Sequence, residues 1–172
     1  MAFPRLSVAL LFIGLLSLIG CNGRTPTLTY VKEAEGGCAD VFLFKAMADQ
    51  REWLWVSADK KKLNLPDKGS KTFDLADELD GLMVKIDLWS GTPKFQPYCN
   101  CVRGGENVDA TWTARSGKVT ITIQEPLPGE GPLKRYKVSA KLEGVVFENE
   151  AGQRLTLQQE TITEVLCGWY AG

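Results

Sequence analysis

Gly81-Leu82-Met83-Val84-Lys85-Ile86-Asp87-Leu88-Trp89 is the stretch whose reading decides the fold. Leu82, Val84, Ile86 and Leu88 fall on one side of an extended chain, and Met83, Lys85, Asp87 and Trp89 fall on the other. Side chains alternate faces along a strand, so this period of two marks a β-strand with one face toward a core. The same period recurs on both sides of it. Downstream, Asp109 to Arg115 and Lys118 to Gln124 read as a hairpin joined by Ser116-Gly117, with Ala110, Trp112 and Ala114 on one face and Val119, Ile121 and Ile123 on the other arm. After the Pro/Gly-rich break at 126–132, Tyr136, Val138, Ala140 and Leu142 alternate with polar neighbours. Beyond Gly144 the phase moves by one to Val145 and Phe147, which is what a β-bulge leaves in a sequence. Glu150-Ala151-Gly152 then turns the chain into Leu155 and Leu157, and a last strand is expected from about Thr161 to Trp169.

Upstream, strands are expected at Thr27 to Lys32, Asp40 to Ala46, Trp53 to Ser57 and, briefly, Lys62 to Leu65, with a turn or loop at Asp67 to Ser70. No window of helical length shows a convincing 3.6-residue period. The fold class read from this pattern is all-β: an antiparallel β-sandwich of about eight to ten short strands. A closed β-barrel around a ligand is the alternative that the patterning leaves open.

The first 26 residues carry a different signal. Arg5 is the only charge before residue 24, and Leu6 to Ile19 is almost unbroken Leu, Ile, Val, Phe and Ala. A basic residue, a short apolar run and a small residue at the cut is the layout of an export signal. The run falls short of the roughly 20 residues that a membrane-spanning helix needs. It ends in Leu18-Ile19-Gly20-Cys21: an aliphatic residue, a tolerant position, a small residue and a cysteine. This resembles the lipobox of bacterial lipoproteins. The resemblance implies that the Cys21 thiol receives a diacylglycerol, that the chain is cut before it, and that the new amino group is often acylated as well. Several acyl chains make such an anchor stable where one would be marginal. In that family an Asp after the cysteine favours retention at the inner membrane, so Asn22 implies the outer membrane instead. The opposing reading is an ordinary export signal in which Cys21 is incidental. The expected organisation is a signal peptide over 1–20, a lipidated cysteine and tether over 21–26, and one β-sandwich domain over 27–172. Asn22 to Pro26 stretch no further than about 18 Å, so the domain is expected close to the membrane surface.

Composition narrows the function. Loss of the signal leaves about 150 residues, one domain able to bury its own core. The formal net charge is -1, and losing Arg5 makes it more negative. No basic excess exists to bind nucleic acid. The chain has 0 histidines, which removes the usual general base and the commonest metal ligand. A histidine-independent hydrolase built on paired carboxylates remains conceivable in principle, but nothing singles out two of the 21 acids. Cys38, Cys99, Cys101 and Cys167 remain after the lipidated cysteine, and an even number in an exported chain reads as two disulfides. Cys99 and Cys101 are poor partners for each other in a strand. Cys38 and Cys167 are therefore expected each to reach one of them. A four-cysteine zinc site is the rival, disfavoured by the oxidising compartment.

Two further features bear on binding. Trp53 and Trp55 lie two apart on a strand, so both indoles project from one face and Leu54 and Val56 from the other. If the aliphatic pair faces the core, the tryptophans form a candidate platform for stacking sugar rings; a covering loop or sheet would instead bury them. Asp74 to Gly81 gathers four carboxylates before a glycine, a composition that calcium loops use, but the spacing is not the alternating one of an EF-hand and a solvated acidic turn is the expected reading. No cofactor and no metal are expected. The function expected is that of a lipid-anchored cell-envelope protein, non-enzymatic, with a binding or structural role. The partners are the membrane through Cys21 and either a glycan or an envelope protein such as a secreted hydrolase that it inhibits.

Overall fold

A computed structural model describes residues 35–48, 50–93, 98–99, 107–128 and 135–168. The N-terminal region with Cys21, the expected strand Thr27 to Lys32, Cys101 and Trp169 lie outside the described residues. Among the described residues there are eight strands: β1 (Glu35–Cys38), β2 (Phe42–Ala46), β3 (Glu52–Ala58), β4 (Gly69–Asp74), β5 (Leu82–Trp89), β6 (Val108–Pro126), β7 (Tyr136–Glu148) and β8 (Arg154–Cys167). A single 3-10 turn, Leu75–Asp77, follows β4. All pairings are antiparallel, and the strands form one sheet in the order β1-β2-β3-β5-β6-β7-β8, with β4 paired to β6. The sheet curls into a half-barrel whose opposed walls pack on each other across one core. The all-β antiparallel reading holds.

Gly81 to Trp89 folds as its alternation predicts. Val84 and Ile86 are buried in the core, Leu82 and Leu88 pack against it, and Met83 stands out in solvent. Across the sheet, Leu54 and Val56 of β3, Val119, Ile121 and Ile123 of β6, and Val138, Ala140 and Leu142 of β7 are essentially inaccessible. The interior is thus filled by side chains from every wall.

The expected hairpin around Ser116-Gly117 does not form. Residues 108–126 are one 19-residue strand that bends there. Its first part pairs with β5, from Lys85↔Thr113 to Trp89↔Val108; its second part pairs with β4, from Phe73↔Val119 to Gly69↔Ile123. The whole length pairs on its other side with β7, with register shifts at Ala114/Ser116 and Ser116/Lys118. Gly117 sits at φ 104°, and a Cβ built on it would lie 2.6 Å from both the Gly144 carbonyl oxygen and Val145 Cα. Gly144 itself has φ 59°. Two glycines therefore cross at contact distance, and the irregularity swaps the inward parity of β6 from 110, 112 and 114 to 119, 121 and 123. The phase change at Gly144 is the β7 side of the same defect, as its sequence predicts.

Lys62 to Leu65 is likewise not a strand. Leu63 N–H donates to the Asp59 carbonyl at 3.0 Å, and the Asp59 carboxylate accepts from Lys61 N–H at 3.0 Å and Lys62 N–H at 2.9 Å. An aspartate cap thus winds the segment into a turn and drives Leu63 and Leu65 into the end of the core. Strand β4 was not foreseen. Only Phe73 of its six residues is buried, so it carries almost no hydrophobic period.

The open side of the half-barrel is drawn together where β8 meets β1 and β2. Lys45, pointing inward beside Leu43, donates to Glu160 Oε1 at 2.8 Å and to the Thr161 carbonyl at 3.1 Å. Gly168 N–H donates to the Ala39 carbonyl at 2.6 Å, Tyr136 Oη to the Asp40 carbonyl at 2.7 Å, and Thr163 N–H to the Glu35 carboxylate. Burial keeps the Glu35 carboxyl above its ordinary pKa, against the pull of the Thr163 N–H and the nearby Lys45 ammonium.

The glycine crossing gives a direct test. Gly117→Ala forces a Cβ into the β7 backbone and is expected to cost at least about 2 kcal/mol, from overpacking added to left-handed strain. Gly144→Ala meets nothing within 4 Å and should cost only about 1 kcal/mol of strain. Urea denaturation of the two variants reads the difference; equal losses would mean that backbone conformation alone, not close approach, demands glycine at 117.

Candidate functional site

The tryptophan pair lies on the outer face of the sheet. Trp53 pairs in register with Asp87 and Trp55 with Lys85, while Leu54 and Val56 occupy the core. The same-face reading is therefore right. The platform reading is not: Trp53 is 4% exposed and Trp55 half-buried. Phe42 and Phe44 of β2 lie beside them, with Phe42 stacked on Trp55 at 5.6 Å between centroids and Phe44 tilted on Trp53 at 5.9 Å. Tyr98 closes the layer from above. Its ring lies 5.5 Å from Phe42, 5.5 Å from Phe44, 6.2 Å from Trp53, 6.5 Å from Trp55 and 6.2 Å from Trp89. One tyrosine thus touches five rings, and no flat pair of indoles is left open to stack a sugar.

A buried carboxylate organises this layer. Asp87 is 8% exposed and points outward from β5 among the rings. Its Oδ2 accepts from Trp55 Nε1 at 2.8 Å and from Tyr98 Oη at 2.7 Å, and its Oδ1 accepts from Thr111 Oγ1 at 2.7 Å. Three neutral donors satisfy a charge that would otherwise be costly to bury. Trp53 Nε1 donates to the Gln50 carbonyl at 2.9 Å, and Lys85 Nζ rests 5.5 Å from the Trp55 ring centre. The arrangement has the features of a small second core. Among the described residues, no three His, Cys, Asp or Glu side chains converge as a metal ion would require.

The cysteines explain how Tyr98 is held. Cys38 is bridged to Cys99, with Cα atoms 5.8 Å apart and a sequence separation of 61. Cys99 packs on the aromatic layer, so the bridge pins the residue next to Tyr98 to β1. The second bridge expected at Cys167 is not formed: Cys167 is a free, buried thiol whose Sγ lies 3.7 Å from the Phe42 carbonyl. Successive residues of a strand point to opposite faces, and a Cβ on Gly37 would meet Cys167 Sγ at 2.9 Å. Cys167 thus sits on the inner side of β1 while the Cys38 bridge sits on the outer side. Cys38 and Cys167 thus lie on neighbouring strands with their sulfurs on opposite faces of β1, and the Cys38–Cys99 bridge forms without a counterpart at Cys167. Burial pushes the Cys167 thiol up to about 12, so it stays protonated and unreactive in the folded chain.

Among the described residues, an open concave surface lies elsewhere, at the end of the half-barrel where β5 and β6 part. Leu82, Met83 and Val84 of β5, Ala114 and Arg115 of β6 and the 3-10 turn enclose a cleft of about 300 Å³. A wider concavity of about 540 Å³ adjoins it, bounded by the β1–β2 turn, the end of β3 and the Asp59 turn. Leu79, Leu82 and Met83 line both. The acidic run at 74–80 supplies part of this rim. Asp74 caps the 3-10 turn by accepting from Ala76 N–H at 3.0 Å, and Asp80 holds Lys62 at 3.0 Å. No family model matches the chain, and no curated protein or solved structure matches it either.

Two stability predictions follow from the aromatic layer. Burial foremost, then the Asp87 charge and its hydrogen bond, raise the Tyr98 phenol above its ordinary value near 10. A raised native pKa contributes stability that is complete below pH 10 and is lost as the pH climbs beyond it, by up to about 1.4 kcal/mol per unit. Urea midpoints measured between pH 9 and 11 should fall more steeply for the unaltered chain than for Tyr98→Phe; parallel slopes would remove Tyr98 from the titration. Separately, the Cys38→Ser/Cys99→Ser double variant should lose about 4 kcal/mol, the chain-entropy value for a loop of this length. Its near-ultraviolet circular dichroism should also weaken as Tyr98 loosens; an unchanged spectrum would show that the bridge does not hold the ring.

Proposed function

We propose that this chain is a lipid-anchored cell-envelope protein of bacterial lipoprotein type, whose β body has a non-enzymatic binding or structural role on the envelope side of the membrane. The observation that carries the reading is the Cys38–Cys99 bridge. Disulfides persist outside the reducing cytosol, and an export signal ending in Leu18-Ile19-Gly20-Cys21 supplies the route there. No described helix is long and apolar enough to cross a membrane, and the acylated Cys21 thiol is the attachment we assign. The outer membrane is the site implied by Asn22.

Among binding roles, a protein partner is favoured over a glycan. Tyr98 covers Trp53 and Trp55, whereas the groove beside Met83 is open and lined by charge and aliphatic side chains. A disulfide-stiffened body also suits an envelope factor that holds a secreted hydrolase inactive, because little order is lost on binding.

The anchor is tested on the protein purified from membranes. Its intact mass should exceed that of polypeptide 21–172 by a diacylglycerol, alone or with a further acyl chain, and it should partition into detergent. Cys21→Ser should leave the signal uncut and the mass free of lipid. A mature chain beginning at Cys21 without lipid would overturn the assignment.

A further inference from the structure

We propose that the aromatic layer on the outer face of the sheet is a one-electron redox site: an oxidising radical that meets Trp55 is drained inward to Tyr98, whose phenolic proton passes to Asp87. The site is independent of the anchor and of any binding partner.

Three of the chain's five tryptophans, Trp53, Trp55 and Trp89, surround Tyr98, with ring centres 6.2 Å, 6.5 Å and 6.2 Å from its own. Indoles and phenols are the side-chain rings that give up an electron most readily, and rings in contact exchange one without a diffusing carrier. Trp53 is buried, whereas Trp55 is half-buried and so reachable by a small oxidant from solvent. Lys85 Nζ stands 5.5 Å from the Trp55 ring centre. A cation so near penalises positive charge on that ring, so a hole formed there is driven onward rather than held.

The proton decides where the hole stops. Burial and the Asp87 charge keep the Tyr98 phenol protonated at neutral pH, so its oxidation has to expel a proton. A phenol that has lost an electron is a strong acid, and its neutral radical forms where a base stands ready. Asp87 Oδ2 accepts from Tyr98 Oη at 2.7 Å, within the reach that proton transfer requires. Tyr136, by contrast, donates to the Asp40 main-chain carbonyl, a group that does not take a proton. One electron leaves Trp55 for the oxidant, which is reduced, and an indole radical cation remains. One electron then moves from Tyr98 to Trp55 and restores the neutral indole. The Tyr98 O–H bond breaks and an Asp87 O–H bond forms, leaving a phenoxyl radical beside a carboxylic acid. Trp55 Nε1 at 2.8 Å and Thr111 Oγ1 at 2.7 Å hold the carboxyl in place. The Cys38–Cys99 bridge keeps the adjacent Tyr98 in the layer, and the rings around it stop two phenoxyl radicals from meeting and coupling.

The test uses the full chain in detergent micelles and the azide radical, a one-electron oxidant that prefers indoles, generated by pulse radiolysis. The indolyl absorption should give way to phenoxyl absorption at a rate that is independent of protein concentration and slower in deuterated water. Tyr98→Phe keeps the ring and removes the hydroxyl, and the phenoxyl signal should be lost. Asp87→Asn packs alike but accepts no proton, and should slow the conversion at least about 100-fold. No phenoxyl signal in the unaltered chain, a rate proportional to protein concentration, a full signal in Tyr98→Phe, an unchanged rate in folded Asp87→Asn, or equal rates in the two waters would each overturn the proposal. The isotope comparison uses the unaltered chain, so it decides the proton route even where Asp87→Asn does not fold.

Discussion

The contact between Gly117 and Gly144 is the constraint on which the rest of the structure depends. A single antiparallel sheet has two faces and can bury one of them only by folding over on itself or by meeting a second layer. Here β6 and β7 approach so closely that a Cβ on Gly117 would lie only 2.6 Å from the opposing backbone. The register slips around that point, so the inward parity changes without the strand ending. Local twist increases at such a bulge. The sheet can then coil until Phe147, Leu142 and Ile162 meet Leu43, Leu54 and Ile86 across one core.

The groove and the seam follow from the same bend. Because β6 changes its neighbour from β5 to β4 after Thr113, the two partners diverge and a cleft opens between them. On the opposite side, β8 approaches β1 without a full ladder, and the closure falls to individual bonds. Lys45 and Glu160 are the most buried of these, with side-chain exposures of 9% and 17%. Such a pair adds little net stability over an apolar one, yet losing either partner leaves a charge stranded, at a cost of roughly 3–5 kcal/mol. The seam therefore specifies which strands meet more than it strengthens their meeting. That is a role a purely aliphatic edge could not fill.

The fold class and most strands were legible because they rest on local alternation. Gly81 to Trp89 has the inward and outward faces its residues imply, and the phase shift at Gly144 marks a true bulge. Ser116-Gly117 shows the limit. A glycine in a turn and a glycine at a bulge look alike in a short window, and what separates them is the β7 backbone 27 residues later. Lys62 to Leu65 failed for a local reason: the spacing of Leu63 and Leu65 suits a strand, but the Asp59 side chain caps the backbone first. The face of the tryptophan pair was legible from its spacing, whereas its exposure stayed open between a bare platform and a covering loop. The signal that could have decided it is Tyr98, an aromatic residue directly before a bridging cysteine, since the bridge determines which surface that ring must cover. The groove was hardly legible at all. Its residues come from five separate segments, and only the acidic run at 74–80 hinted at its charge.

A rigid outer layer and an open end divide the work of the surface. Indoles and phenyl rings on the outside of a sheet are a liability, because a large apolar patch invites association. This chain removes the liability by building a second small core on that face, satisfied by Asp87 and held by one cross-link. Burying Trp53 and Phe44 there contributes on the order of 2 kcal/mol each, so the layer stabilises the same strands whose inner faces form the main core. Apolar surface left accessible at the Met83 end is then in a different position. It is small, bordered by the Lys62–Asp80 and Arg115–Glu78 pairs, and β3 and β5 beneath it carry the main core on one face and the aromatic layer on the other.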